Sequence, residues 1–149
     1  MKNLFEASAV EEIERRLGGL QSGAQRLWGT MNPAQALAHC NIAMEVATGE
    51  RVVKRLFLGR ILGPLFRGKF LGEEPFMRNS PTNPAFVVSE ARDFAAEKER
   101  LLKLTRQFAD GGPEKCTANP HSFFGTLTPA EWARAMYKHL DHHLRQFGA

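Results

Sequence analysis

The sequence predicts an all-α protein, a bundle of four helices, and three observations support this fold class. Four stretches repeat apolar residues at helical spacing. Two of these stretches begin with a proline that directly follows an N-capping residue. No stretch shows the strict apolar–polar alternation of a half-buried strand. A chain of 149 residues can bury roughly 70% of its unfolded surface, so we expect one bundle domain over residues 1–149.

The first predicted helix covers about residues 8–21. Ser8 and Glu11 have the spacing of a capping box, in which each side chain binds the other residue's backbone N–H. Apolar side chains then recur at helical spacing at Val10, Ile13, Leu17 and Leu20.

The second predicted helix covers about residues 33–48. Asn32 is a good N-cap, Pro33 suits the first helical position, and alanines dominate the segment. Gly49 provides a stop, because glycine readily adopts the left-handed conformation that ends many helices.

Residues 50–88 are repeatedly interrupted by glycine and proline. We expect one or two short helical turns in "VVKRLFLGRILGPLF", followed by an extended tail. A connection of this length inside a small domain is often functional or required by the topology.

The last two predicted helices follow this connection. The third begins at Ser89 and ends before Gly111, Gly112 and Pro113. The fourth covers about residues 129–146, because Thr128 and Glu131 form a capping box around Pro129.

Composition excludes some functional classes and favours a cytoplasmic location. The formal charge of +4 is small, and no dense basic run with interleaved aromatics is present, so we expect no nucleic-acid partner. The N-terminus lacks the apolar stretch of a signal peptide. Cys40 and Cys116 have neither metal-type spacing nor a disulfide framework, which fits a reducing cytoplasm.

Membrane attachment is a weaker hypothesis for one segment. No run approaches the ~18 apolar residues of a membrane span. "VVKRLFLGRILGPLFRGKFL" mixes cations with large apolar residues, as interfacial helices do. Because Gly59, Gly63 and Pro64 are expected to interrupt a long helix there, we expect no membrane partner.

Three histidines are candidate metal ligands. His139 and His143 are four residues apart on the predicted core-facing side of the fourth helix, so both imidazoles can reach one ion. His39 lies among small residues of the second helix, where Ala36 and Ala43 leave room for an ion. The alternative is that these are core histidines hydrogen-bonded to Gln35, Gln146 or the backbone. We place His142 on the flank of the apolar stripe.

His121 is the candidate catalytic residue. It lies in a loop just before the fourth helix. A loop histidine is usually solvated, but this one can also reach the mouth of the bundle as an acid–base group.

The segments "WGTMNPAQALAHC" and "HSFFGTLTPAEWARAMYKHLDHHLRQFG" resemble the DinB/YfiT-like superfamily, and more closely a bacterial branch of it described only as a domain of unknown function. The resemblance implies a long crossover between the second and third helices of the bundle. It implies a metal triad at His39, His139 and His143. It further implies a thiol-dependent transferase or isomerase, often dimeric, although "HHLRQ" replaces the superfamily's common "HHRGQ".

Two functions remain in competition. The first is a metal-dependent enzyme that uses zinc or nickel, both suited to imidazole, with a low-molecular-weight thiol as cosubstrate. It would act as an S-transferase or related hydrolase or isomerase on a small anionic substrate, attracted by the cations of residues 51–78. The second is a non-enzymatic binding or interaction protein with a vestigial metal site.

Overall fold

The computed structural model describes residues 1–149, and the all-α prediction is confirmed. The only β-type pairing is an isolated bridge between His121 and Gly125. None of the helices combines the length and the apolar character needed to cross a bilayer. The five α-helices are α1 (Ala7–Gly19), α2 (Pro33–Thr48), α3 (Phe57–Leu71), α4 (Phe94–Gly111) and α5 (Pro129–Gln146), with short 3-10 helices at Pro84–Phe86 and Pro113–Lys115.

One apolar core joins α1, α2, α4 and α5. Each helix contributes large side chains that are almost fully buried, and these side chains belong to a single cluster. Such close-packed burial is the main stabilising term for helices of this length. Representative members are Ile13 and Leu17 of α1, Met44 of α2, Leu101 of α4 and Leu140 of α5.

The predicted bounds of α2 and α5 are confirmed. Asn32 accepts a hydrogen bond from the backbone N–H of Gln35, and the Gln35 side chain accepts one from the N–H of Asn32. Thr128 and Glu131 form the same reciprocal pair at the start of α5. These capping boxes satisfy backbone donors that the first helical turn leaves unpaired.

The predicted cap of α1 and the predicted start of α4 are wrong. Helix α1 begins at Ala7, with Ser8 inside the first turn and not acting as its cap. The preceding turn is fixed by Leu4, which is buried and whose N–H donates to the carbonyl of Ala133.

Helix α4 begins five residues later than predicted, at Phe94. The carbonyls of Ser89 and Glu90 accept hydrogen bonds from the side chain of Gln35, which holds this part of the chain against α2. Asp93 then caps the helix by accepting a hydrogen bond from the N–H of Ala96.

Helix α3 is the main departure from the sequence prediction. Residues expected to form one or two short turns form a helix of 15 residues, so the protein has five α-helices where four were predicted. Gly59 and Gly63 are buried, and a Cβ on either would lie 2.6–2.7 Å from backbone atoms of Phe123. The glycines therefore form the packing face of α3, since only residues without a side chain allow this approach.

Helices α2 and α4 contact each other through a series of polar pairs. The positions of these pairs advance together along both helices, as they do between helices that run in the same direction. The pairs are, in order, Asn41 with Glu97, Glu45 with Arg100, and Gln107 with Glu50, which lies just after the end of α2.

Candidate metal centre

The structure brings the three predicted ligand residues together. The ring centroids of His39, His139 and His143 lie 4.8–4.9 Å apart in all three pairs. One ring nitrogen from each residue lies within 4.8 Å of the other two. His39 is buried, whereas His139 and His143 remain partly exposed.

The periodicity of α5 explains why its two histidines face inward. Trp132, Met136 and Gln146 are buried on the same side of α5 as His139, since each lies within about 60° of it at ~100° per residue. His143 follows His139 by four residues and therefore lies one turn further along this side.

A backbone carbonyl orients His39. Its Nδ1 lies 2.8 Å from the carbonyl oxygen of Phe86, in the 3-10 helix Pro84–Phe86. Because a carbonyl can only accept, Nδ1 of His39 carries the hydrogen and donates it. The lone pair of the neutral ring is then on Nε2, which lies 2.9 Å from Nε2 of His139.

A side-chain amide orients His143 in the same way. Its Nδ1 lies 2.9 Å from Oε1 of Gln146, and Nε2 of Gln146 donates to the carbonyl of Trp28 at 2.8 Å. The Trp28 carbonyl fixes the amide orientation, so Oε1 must accept from Nδ1 of His143. Gly29 permits this contact, because it has a φ of 76° and a Cβ there would lie 2.6 Å from Nε2 of Gln146.

His139 is less well satisfied by the protein. Its Nε2 lies 2.9 Å from Nε2 of His39, whereas its Nδ1 is buried with no hydrogen-bond partner. A buried polar atom without a partner costs about 1–3 kcal/mol. Contacts within the protein therefore leave the free-energy cost of the unpaired Nδ1 of His139 uncompensated.

All three histidines are held neutral at physiological pH. Burial lowers the pKa of His143 to about 3, and neighbouring His39 contributes in the same direction. Burial, followed by the neighbouring His143 and His39, holds the pKa of His139 well below its ordinary value. Burial also lowers the pKa of His39, against the opposing effect of the Phe86 carbonyl. Neutral imidazole is the form that binds metal ions.

The geometry is compatible with a shared ion, and the group can hold one. Imidazole nitrogens bind zinc at about 2.0–2.1 Å in a tetrahedral arrangement, so two nitrogens on one ion are about 3.3–3.4 Å apart. The largest separation in the group, 4.8 Å at most, would therefore close by about 1.5 Å or less. Side-chain rotation provides movement of this size.

His121 lies near His139, and its ring is partly buried. Its ring packs against Phe70, Phe124 and Trp132, and burial lowers its pKa to about 4. Its Nδ1 accepts hydrogen bonds from the backbone N–H groups of Phe123 and Phe124. The neutral ring therefore carries its proton on Nε2, where it can donate a hydrogen bond but cannot accept a proton.

His142 lies on the flank of the group, as predicted from its position on α5. It is half-buried between Trp28 and Phe76, with ring centroids 5.5 and 6.2 Å away, and is not one of the three converging histidines. The guanidinium carbon of Arg78 lies over the ring of Trp28, 4.5 Å from its centroid.

Sequence reasoning missed the groups that orient the ligands. The sequence cannot identify the backbone carbonyls of Phe86 and Trp28 as partners, because every residue has the same backbone. Gln146 was expected as a hydrogen-bond partner only if the histidines were ordinary core residues that bind no metal. In the structure it accepts a hydrogen bond from His143, and the three histidines converge as well. Gln35 instead caps α2. Cys40 and Cys116 are both free thiols.

Comparison with known proteins gives one match. A family model described as "Protein of unknown function (DUF1569)" matches residues 3–149, a range that contains all three histidines. No curated protein matches the chain, and no solved structure matches it. Membership of the DinB/YfiT-like superfamily stays a prediction.

Proposed function

The chain belongs to the family described as "Protein of unknown function (DUF1569)", and we propose that it binds a divalent metal ion, zinc or nickel, through His39, His139 and His143. The observation that carries this proposal is the convergence of three imidazoles from two helices, with one nitrogen of each within 4.8 Å of the others. All three rings are neutral because of burial, which leaves their lone pairs free to bind a cation.

The hydrogen bonds around the group support a metal site over a group of ordinary core histidines. His39 and His143 each donate the Nδ1 hydrogen outward, to Phe86 and Gln146. Metal-binding histidines are oriented in this manner by a carbonyl or side-chain acceptor on the second ring nitrogen. A core built only for stability would not need three neutral imidazoles with a ring nitrogen of each within 4.8 Å of the others.

The same geometry supports a metal-dependent enzyme. Neutral ligands leave the full charge of a divalent ion in place, and such an ion lowers the pKa of a water or thiol and supplies a nucleophile at neutral pH. His139 and His143 are partly exposed, so a low-molecular-weight thiol and a small anionic substrate would approach from their side. We propose an S-transferase, or a related hydrolase or isomerase, as the activity.

His121 has a different role in this proposal from the acid–base role expected from the sequence. Its Nδ1 lone pair is engaged by two backbone N–H groups. It lies close enough to His139 that a proton on His121 lowers the pKa of His139. We assign it the role of a hydrogen-bond donor, through Nε2, to a ligand bound at the centre.

One observation favours the second candidate function, a binding protein without catalysis. The only acid–base candidate, His121, has its proton-accepting nitrogen occupied, and burial lowers its pKa to about 4. A protein with this arrangement can retain the ion and a ligand without a residue that removes a proton.

Metal analysis of the purified protein tests the proposal. We expect about one zinc or nickel ion per chain, as three ligands to one ion require. The variants His139→Ala and His143→Ala should lose it. His142→Ala is the matched control, because it changes a half-buried histidine of the same helix outside the group.

Metal-free wild-type protein under metal-replete conditions, or equal loss of metal in His142→Ala, would contradict the assignment. Turnover is tested separately, by thiol-transfer assays on the metal-loaded wild-type protein. A bound ion without turnover of any thiol substrate favours the binding function.

A further inference from the structure

Helix α3 has an apolar outer face that no other part of the chain covers. The four large side chains on this face are between 56% and 77% exposed. They lie within about 100° of one another around the helix axis, at ~100° per residue. Contiguous apolar surface of this kind marks an interaction site more often than isolated apolar residues do. The face consists of Phe57, Leu58, Ile61 and Leu65.

Packing on the opposite side fixes the direction in which this face points. Gly59 and Gly63 lie against the backbone of Phe123, with no space for a side chain between them. Arg67 donates to both carboxylate oxygens of Glu131 at 2.8 Å and to the carbonyls of Phe124 and Thr126. The outer face is therefore presented by a helix anchored to the fold.

Basic residues border the apolar face on both sides. Arg60 and Lys69 are exposed and lie about 110° and 70° from its centre, in opposite directions around α3. Lys54 is exposed just before the helix. None of these three cations has a carboxylate partner, and residues 51–71 contain no acidic residue.

The structure contradicts the premise of the sequence argument against a membrane role. It depended on Gly59, Gly63 and Pro64 interrupting the helix, but α3 is continuous from Phe57 to Leu71. The two glycines face the protein, and Pro64 lies exposed within the helix. The apolar side chains are consequently collected on the side away from the protein.

We propose that α3 docks its outer face on the surface of an anionic lipid bilayer. The apolar side chains would enter the boundary between headgroups and acyl chains, while Arg60 and Lys69 extend to the lipid phosphates. Charge complementarity decides against a second copy of this chain, because a symmetric contact would bring two borders of unpaired cations together. This inference does not depend on the metal site.

Vesicle co-sedimentation of the full chain tests the proposal. We expect the protein to sediment with vesicles of equal parts phosphatidylcholine and phosphatidylglycerol, less with phosphatidylcholine alone, and less as salt is added. Leu65→Glu should abolish binding by placing a charge in the apolar face. Leu27→Glu is the matched control, since it adds the same charge at another exposed leucine outside α3.

The basic border has its own test. Arg60→Ala should weaken binding to the anionic vesicles about fivefold, the effect of one cation near such a surface. Lys103→Ala, which removes an exposed cation of α4, should leave binding unchanged. Circular dichroism confirms that each surface variant is folded.

Three results would overturn the proposal. One is protein that stays in the supernatant with anionic vesicles at low salt. Another is binding that Leu65→Glu and Leu27→Glu reduce equally. The third is a dimer, detected by light scattering, that Leu65→Glu dissociates while the wild-type protein binds no vesicles, because the face would then belong to a second copy.

Discussion

The Nε2 atoms of His39 and His139 lie 2.9 Å apart, although the two residues are separated by 100 positions in the chain. Nδ1 of His39 donates to the Phe86 carbonyl, so Nε2 of His39 has no hydrogen. Without a cation, His139 can satisfy this contact only by donating from Nε2, which leaves its buried Nδ1 as an unpaired acceptor. A cation between the rings would use both Nε2 lone pairs.

We therefore expect metal to stabilise the protein. At a zinc concentration about a hundredfold above the Kd, the gain is about 2.7 kcal/mol, or a Tm increase of about 5–10 °C for a chain of this size. Differential scanning calorimetry with zinc and with a chelator measures it. His39→Ala should lose the response and His142→Ala should keep it. An equal Tm of the wild-type protein under both conditions would exclude a metal that binds only the native state.

Gln146 should affect metal affinity through His143. Gln146→Leu removes the acceptor for the Nδ1 hydrogen of His143, and losses of this type weaken metal binding about 10- to 100-fold. Gln146→Glu retains an acceptor oxygen and should bind zinc close to the wild-type level. Both variants lose the hydrogen bond to Trp28, so the comparison isolates the contact with His143. Zinc competition with a chelating dye provides the affinities, and equal affinities for the two variants would contradict this role.

The sequence was sufficient to predict those features that depend on residues close together in the chain. Helices α2 and α5 start as predicted because each capping box is contained within four residues. The inward direction of His139 follows from the apolar periodicity of α5 alone, which the burial of Trp132 and Met136 confirms.

Non-local contacts explain what could not be predicted. Gly59 and Gly63 disfavour a helix by their intrinsic propensity, but their contact with Phe123, about sixty residues away, stabilises one. The start of α4 depends likewise on the distant side chain of Gln35. The residue that orients His39 acts through its backbone carbonyl, so no side-chain pattern could have identified Phe86.

The glycines of α3 should differ sharply in their tolerance of alanine. Gly59→Ala places a Cβ 2.7 Å from Cα and O of Phe123, and should lower the free energy of unfolding by about 1–3 kcal/mol. Gly68→Ala meets no atom within 4 Å and should raise it by about 0.5–1 kcal/mol, because alanine favours the helix. Urea unfolding measures both. Similar stabilities for the two variants would show that α3 does not pack closely on Phe123.

The partly buried ring of His121 should make the protein less stable in mild acid. Its pKa is about 4 in the folded protein and 6.5 when unperturbed. Between these values the unfolded chain binds more protons than the native state. The contribution of His121 to the free energy of unfolding is therefore fully present above pH 6.5 and is lost as the pH falls towards 4. At about pH 5 the loss from this residue is about 2 kcal/mol.

His121→Asn isolates this contribution. The Oδ1 atom of asparagine can accept from the same two backbone N–H groups as Nδ1 of His121, but it does not titrate. Urea unfolding with a chelator present should therefore show a smaller loss of stability for His121→Asn than for the wild-type protein when the pH is lowered from neutral to about 5. The remaining loss comes from His39, His139 and His143, whose pKa values are also lowered by burial. Parallel pH profiles for the two proteins would mean that His121 is protonated as readily in the native state as in the unfolded chain.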